Sequence, residues 1–143
     1  MPRSMSPEET RAFLLEGTRT AKLGVVRKDG RPHVAPIWFV LDGEDVIFTT
    51  AERTVKGHAI RRDPRVVLCI DDERPPFAFV RIEGEASVSC DQEEMLRWST
   101  TIGARYMGAD RGEEFGRRNA VAGELLVRVA VSRIVSTADV AGY

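Results

Sequence analysis

Hydrophobic and polar residues alternate along several short segments of this chain, and a repeat of two residues is typical of β-strands with one face against a core. The longest such segment spans residues 77–90. Its inward positions are Val80, Ile82, Ala86 and Val88, and its outward positions are Arg81, Glu83, Glu85 and Ser87. Gly84 interrupts the alternation and predicts a bulge or bend at that point.

Other segments also have the composition of strands, and they span residues 22–27, 33–41, 46–50, 65–71 and 124–136. The segment at 33–41 is apolar on both faces, which predicts a strand that is covered on both sides. Pro36 lies within it, and a sheet accommodates proline at an edge or a bulge. Asp-Gly pairs at 29–30 and 42–43 predict tight hairpin turns between the first strands.

Helices are predicted around these strands. Ser6 and Glu9 form a capping box at the start of the first helix, and Gly17 ends it. Asp91 caps a second helix, and a short one follows at residues 113–118. Six strands joined largely by short turns predict a mainly β protein, a six-stranded antiparallel barrel with peripheral helices.

A basic helix is predicted directly after the strand at residues 46–50. Thr49 and Thr50 end that strand, and Arg53 and Lys56 lie three residues apart, which places them on one face near the helix start. Free backbone N–H groups, hydroxyls and cations are the components of a phosphate site. The pattern therefore predicts a site for a phosphate group.

An ordinary structural interpretation of the same helix stays open. Any joint between a strand and a helix needs polar residues, and Asp63 with Pro64 simply ends the helix. Arg61 and Arg62 near its end complement the helix dipole without any ligand.

The composition narrows the class of protein. The chain has 143 residues, 30% of them charged, and a net charge of −1, which argues against a protein that coats nucleic acid or an anionic membrane. No apolar run approaches membrane-spanning length and the N-terminus lacks the apolar core of a signal peptide, so we expect a cytoplasmic protein. Residues 1–143 are expected to form one domain, because no linker, repeat or low-complexity segment divides them.

Few side chains suit acid–base or metal chemistry. His33 and His58 are not next to a candidate nucleophile, and the sequence has no GxSxG, Walker A or GxGxxG pattern. Cys69 and Cys90 lie far apart in apolar runs, so buried reduced thiols are expected in place of a metal site. We therefore predict no catalytic side chain and no metal, and any enzymatic activity would depend on a cofactor.

The aromatic residues and His33 have ordinary structural interpretations at this stage. His33 starts a strand and suits a position with a satisfied ring. Trp38 and Phe77 suit a core or an interface, and burial of residues 37–39 in a dimer would explain their character without a ligand.

The order of the segments resembles that of a known superfamily. The run KLGVVRKDGRPHVAPIWFVLDGEDVIFTT, followed by ERTVKGHAIRRDPRVVLCID and FAFVRIEGEASV, is similar to the pyridoxamine 5'-phosphate oxidase-like split β-barrels. The similarity covers residues 18–88 and, more loosely, 124–136. It is closer to the branch that uses the deazaflavin coenzyme F420 than to the branch that uses FMN, although the segments DGRPHVAPIWF and RRDPRV occur in both.

The resemblance implies an FMN-binding-like split β-barrel and a homodimer with two identical cofactor sites at its interface. In similar proteins a lysine at the position of Lys56 binds the phosphate, and many relatives have asparagine where this chain has Ala59. The resemblance implies that the flavin-like ring lies against the second strand, at Pro36, Ile37 and Trp38, and Phe77 matches a position on the substrate side. Arg53 lies near, but not in strict register with, an arginine that contributes in relatives. The residues that the resemblance assigns to cofactor binding are His33, Pro36, Ile37, Trp38, Thr49, Thr50, Arg53 and Lys56.

The implied activity is an F420-dependent reductase that transfers a hydride to a conjugated small molecule, such as a quinone, an enone or a tetrapyrrole like biliverdin. Solvent can supply the accompanying proton. Two alternatives stay open: an FMN-binding oxidoreductase of the same superfamily, and a protein that binds the coenzyme or a tetrapyrrole without turnover. No nucleic-acid or membrane partner is expected.

Overall fold

The computed structural model of the protein describes residues 1–142. Over this range the chain forms one antiparallel sheet of eight strands. The strands are β1 Arg3–Ser4, β2 Ala21–Val26, β3 Pro32–Ile37, β4 Val40–Asp42, β5 Asp45–Ala51, β6 Arg65–Asp72, β7 Ala78–Ser89 and β8 Glu124–Ala138. The helices are α1 Pro7–Leu15, α2 Val55–Arg62, α3 Gln92–Met107 and α4 Gly112–Asn119, and a 3₁₀ turn at Ala109–Arg111 precedes α4.

The sheet is curled. Its strand order is β3-β2-β6-β7-β8-β5-β4, with β1 added beside β8. Strands β3 and β4 are therefore at opposite edges, yet only Trp38 and Phe39 separate them in sequence. The two edges must consequently come together at this short link, although β3 and β4 do not pair. The mainly β split-barrel prediction is confirmed, with eight strands in place of six.

One predicted strand is divided in two. The sequence predicted a single strand over residues 33–41, but β3 ends at Ile37 and β4 begins at Val40. The backbone of Phe39 bonds to side chains of α3: its N–H donates to the Tyr106 hydroxyl at 3.2 Å, and its carbonyl accepts from Arg105 Nη1 at 2.7 Å. Because helical side chains satisfy these groups, the chain leaves the sheet here without exposing unpaired polar atoms to the core.

Strand β3 is an edge strand with one open face. Pro36 is exposed on it, as expected for proline in a sheet. Val34 is 65% exposed, so the prediction that both faces of this strand are covered is wrong for the single chain. The inward residue is Ile37, which is buried in the barrel core.

The core lies inside the curl of the sheet. Its fully buried members include Leu23, Phe48, Leu68, Ile70, Ile82 and Val127. A smaller apolar cluster packs α3 against the outside of the sheet, and it consists of Val40, Ile47, Met95, Ile102 and Leu126.

Local predictions about turns and caps are largely confirmed. The Ser6–Glu9 capping box is present, and the Asp91 side chain accepts the N–H of Glu94. The pairing of β7 with β8 shifts register between Glu83 and Gly84, which is the predicted bulge. The prediction of buried thiols is wrong for Cys90, which is exposed because its strand has already ended, whereas Cys69 is half-buried.

Replacing Tyr106 by phenylalanine should lower the free energy of unfolding by about 1–3 kcal/mol. The Tyr106 hydroxyl donates to the carbonyl of Arg19 at 2.7 Å and accepts the N–H of Phe39. In the phenylalanine variant this N–H of Phe39 would have no partner. Urea denaturation measures the change. Thr101→Ala, which removes an exposed hydroxyl from the same helix, should change stability by less than about 0.5 kcal/mol. Equal effects of the two substitutions would show that the hydroxyl does not secure the link.

Candidate functional site

Threonine hydroxyls organise the joint between β5 and α2. Thr54 is the N-cap: its hydroxyl accepts the N–H of Gly57 at 3.1 Å and donates to the carbonyl of Ala51 at 2.8 Å. The hydroxyl of Thr50 lies 3.2 Å away. The helix therefore starts at Val55, directly beyond the end of the strand.

The cap corrects one expectation about the basic residues. The spacing had predicted that Arg53 and Lys56 share a helix face. This prediction is wrong, because Arg53 precedes the N-cap and lies outside the helix. Thr54 was missed, although a threonine before a helical segment is a recognisable capping signal. Gly57 is needed in the first turn, because a Cβ there would collide with the carbonyl of Ala51.

Two cations at this joint have no partner. Among residues 1–142, the side chains of Lys56 and Arg53 form neither a hydrogen bond nor an ion pair. Lys56 is half-buried and Arg53 is exposed. The first N–H groups of a helix have no acceptor within it, and they carry the positive end of its dipole. The joint is consequently able to bind an anion.

The predicted threonines have different positions. Thr50 is 4% exposed and pairs with Leu125 on β8, so its hydroxyl is held against the cap. Thr49 is half-buried on the same strand. Of the two threonines, Thr50 contributes to the joint by a hydrogen bond to the hydroxyl of the N-cap residue Thr54.

A carboxylate that the sequence did not single out lies beside the cations. Glu124 begins β8 and pairs with Ala51, the last residue of β5. Burial raises the pKa of this carboxyl, and the positive charges of Arg53 and Lys56 oppose the shift. Only the pairing of β5 with β8 shows that Glu124 is close to the joint, because more than seventy residues separate Glu124 from Ala51 in the sequence.

His33 has a defined ring partner. Its Nδ1 lies 3.2 Å from Nη2 of Arg27. Arginine can only donate, so Nδ1 is the acceptor, and the ring proton is assigned to Nε2. The buried Nε of Arg27 has no hydrogen-bond partner among the described residues. Arg27 was not identified from the sequence, since only the β2–β3 hairpin brings it to His33.

The three predicted ring-contacting residues differ in what they expose. Ile37 is buried in the core, so its side chain points away from the surface. Pro36 is exposed. Trp38 is 37% exposed and stacks on Tyr106, with ring centroids 4.8 Å apart and planes 3° from parallel. A planar ligand on this surface would meet Pro36 and Trp38.

Phe77 is remote from the cationic joint within one chain. It follows the cis peptide bond between Pro75 and Pro76, has φ +66° and is 39% exposed. Its neighbour Phe79 pairs with Thr137 near the end of β8, whereas Lys56 lies near the start of that strand. The part of β8 between Glu124 and Thr137 extends for about 40 Å along the strand. Phe77 and Lys56 therefore lie toward opposite ends of this strand in the single chain.

Two grooves of the single chain lie away from the cationic joint. A groove of about 650 Å³ separates α1 from β8, and a smaller one of about 460 Å³ lies beside the α1–β2 loop. Neither groove is lined by a predicted site residue.

Residues 1–142 contain no group of His, Cys, Asp and Glu that could hold a metal ion. No helix in the same range is long and apolar enough to span a membrane.

The fold and this joint define a split-barrel protein whose strand-to-helix connection carries two cations, Arg53 and Lys56, without a partner among residues 1–142. The family model described as pyridoxamine 5'-phosphate oxidase matches residues 6–136. The chain therefore belongs to this family. No curated protein matches the sequence.

Solved structures with this fold include a conserved hypothetical protein of Mycobacterium tuberculosis, 24% identical with a TM-score of 0.83, covering 94% of this chain and 86% of the other. An F420 reductase is 25% identical with a TM-score of 0.68, covering 86% of this chain and 94% of the other. The heme storage protein HutZ of Vibrio cholerae is 17% identical with a TM-score of 0.72, covering 91% and 94%. The fold is thus shared by proteins with different cofactors.

Replacing Thr54 by alanine should destabilise the protein by about 1 kcal/mol, because the N–H of Gly57 and the carbonyl of Ala51 both lose a partner. Thr54→Ser keeps the hydroxyl and should recover most of this loss. Urea unfolding of both variants measures the difference. Equal stability of the alanine variant and the unmodified protein would contradict the assignment of the cap.

Proposed function

We propose that the protein is an F420-dependent reductase that transfers a hydride to a conjugated small-molecule acceptor, such as a quinone, an enone or a tetrapyrrole. The observation that carries the proposal is the pair of cations Arg53 and Lys56 on either side of the Thr54 cap, neither of which has a partner in the described part of the chain. The likeness to an F420 reductase supports the choice of coenzyme.

The phosphate of the coenzyme would bind at the joint. Lys56 and Arg53 supply charge, and the first turn of α2 supplies backbone N–H groups. Thr54 holds this turn against Ala51 and fixes the direction of the N–H groups. Because these groups are in place before binding, little conformational entropy is lost when the anion arrives.

The ring of the coenzyme would lie along β3. When bound, reduced F420 supplies the hydride, and the protein contributes binding, orientation and exclusion of water. Pro36 and Trp38 offer exposed apolar surface, and the Nε2–H of His33 is free to donate a hydrogen bond. Helix α2 packs near β3, so one ligand can extend from the joint to this strand.

We also propose that the protein acts as a homodimer with its sites at the interface. Edge strand β3 and the residue that follows it expose Val34, Pro36 and Trp38, which form an apolar surface that no other part of residues 1–142 covers. Phe77 precedes β7 and lies beside the far end of β8, away from the joint of its own chain. A second copy would provide the missing wall and the substrate-side residue.

Two other functions have support. The family's name favours an FMN-binding oxidoreductase with the same phosphate site. The likeness to a heme storage protein favours binding of a tetrapyrrole without turnover. Turnover separates the reductase from the storage protein, because only the former oxidises reduced F420 in the presence of an acceptor.

Titration of the purified protein with F420 and, separately, with FMN should give saturable quenching of tryptophan fluorescence by F420. Lys56→Ala should weaken this binding by about 1.5–3 kcal/mol, the scale of a hydrogen bond to a charged group. Lys28→Ala, in the exposed β2–β3 turn, should leave it unchanged. Equal affinity of the Lys56 variant would remove the phosphate site. Oxidation of reduced F420 with a panel of quinones, enones and biliverdin tests turnover.

Val34→Lys should convert the dimer to a monomer and reduce coenzyme binding, because it places a charge on the exposed face of β3. Light scattering after size-exclusion chromatography measures the mass. Val121→Lys, at a similarly exposed position outside the sheet, is the matched control and should stay dimeric. A monomeric unmodified protein that still binds F420 would contradict the interfacial site.

A further inference from the structure

We propose that Glu124 sets the charge selectivity of the cofactor site, so that the site favours a phosphodiester with one negative charge over a phosphomonoester with two. The proposal rests on the phosphate position given above. It gives Glu124, which the sequence alone did not single out, a role in selecting between ligands of different charge.

The position of Glu124 is fixed by the sheet. It is the first residue of β8 and pairs with Ala51, and the N–H of Glu52 donates to the carbonyl of Gly123 at 2.8 Å. Both contacts join β8 to the chain just before the cap of α2. The carboxylate is therefore carried on rigid backbone beside the anion-binding turn.

The carboxylate is half-buried, and the sheet pairing places it on the strand end next to the joint that carries the two cations. Within residues 1–142 the Glu124 side chain has no hydrogen bond or ion pair, and the cations that act on it are Arg53 and Lys56. The nearby Glu52 differs, because it is exposed and pairs with Arg61 at 3.4 Å. Two positive charges and one negative charge at the joint leave a single positive charge for a ligand.

This balance suits one kind of phosphate. The phosphate of F420 is a diester and holds one negative charge, whereas the monoester of FMN holds about 1.5–2 at neutral pH. A carboxylate close to the phosphate repels the second charge in addition to the first. Glu124 would thus reduce the affinity for FMN more than the affinity for F420.

The test compares Glu124→Gln with the unmodified protein for three ligands: F420, FMN and riboflavin, which has no phosphate. Removing the charge should tighten binding by about fivefold for each unit of ligand charge near it, or roughly 25-fold for FMN and fivefold for F420. Riboflavin binding should not change. Glu124→Asp keeps the charge and should keep the selectivity, and Glu93→Gln on the exposed face of α3 should have no effect.

The outcomes separate this proposal from the proposed function. Equal changes for FMN and F420, or a matching change for riboflavin, would overturn the role of Glu124 while leaving the reductase intact. If the unmodified protein prefers FMN but Glu124→Gln still tightens FMN most, the charge role stands and the F420 assignment fails. If none of the three ligands binds, both proposals fail. Thermal unfolding of each variant confirms that it is folded.

Discussion

The structure depends on how the two edges of one curled sheet are joined. Strands β3 and β4 lie at opposite edges, and the chain crosses between them through Trp38 and Phe39. The polar backbone atoms of Phe39 form hydrogen bonds to Tyr106 and Arg105 of α3. The guanidinium of Arg105 also donates to the carbonyls of Leu14 and Gly17. Without these bonds the crossing would bury unpaired N–H and carbonyl groups, at a cost of several kcal/mol. Helix α3 thus holds the barrel in its split form and sets the position of the Trp38 ring.

The same sheet creates a joint suited to anions. Strand β5 ends at Ala51 and a helix begins four residues later, so the threonine cap, the positive end of the helix dipole and the two cations that have no partner within residues 1–142 belong to one short connection. The pairing with β8 adds Glu124 to this group. The electrostatic character of the joint is therefore decided by residues from three elements and not by the basic helix alone. A cationic helix next to a carboxylate binds an anion more weakly than the same helix without the carboxylate.

The single chain leaves its candidate residues divided. His33 and Lys56 lie toward the α2 end of the barrel, whereas Trp38 and Phe77 lie toward the other. Strand β3 connects these ends and exposes its outer face. An edge strand with exposed apolar residues is a surface that proteins normally cover. This arrangement is the physical basis for our proposal that a second copy completes the site.

The sequence by itself determined the elements whose signals are local. Alternation and strand-like composition predicted β5 to β8, Gly84 predicted the bulge, and the caps at Ser6 and Asp91 predicted two helix starts, because each signal depends on residues close together in the chain. Lys56 could be proposed for the same reason. The sequence did not reveal the break at residues 38–39, since its cause is a hydrogen bond to Tyr106 far along the chain.

Tertiary structure alone decided which distant groups meet. The pairing of β5 with β8 brings Glu124 to the cations. It also placed Ile37 in the core and left Pro36 at the surface, although both had been assigned to the ring. The physical reason is that side-chain direction follows strand register and the curl of the sheet, and both are set by contacts between residues far apart in sequence.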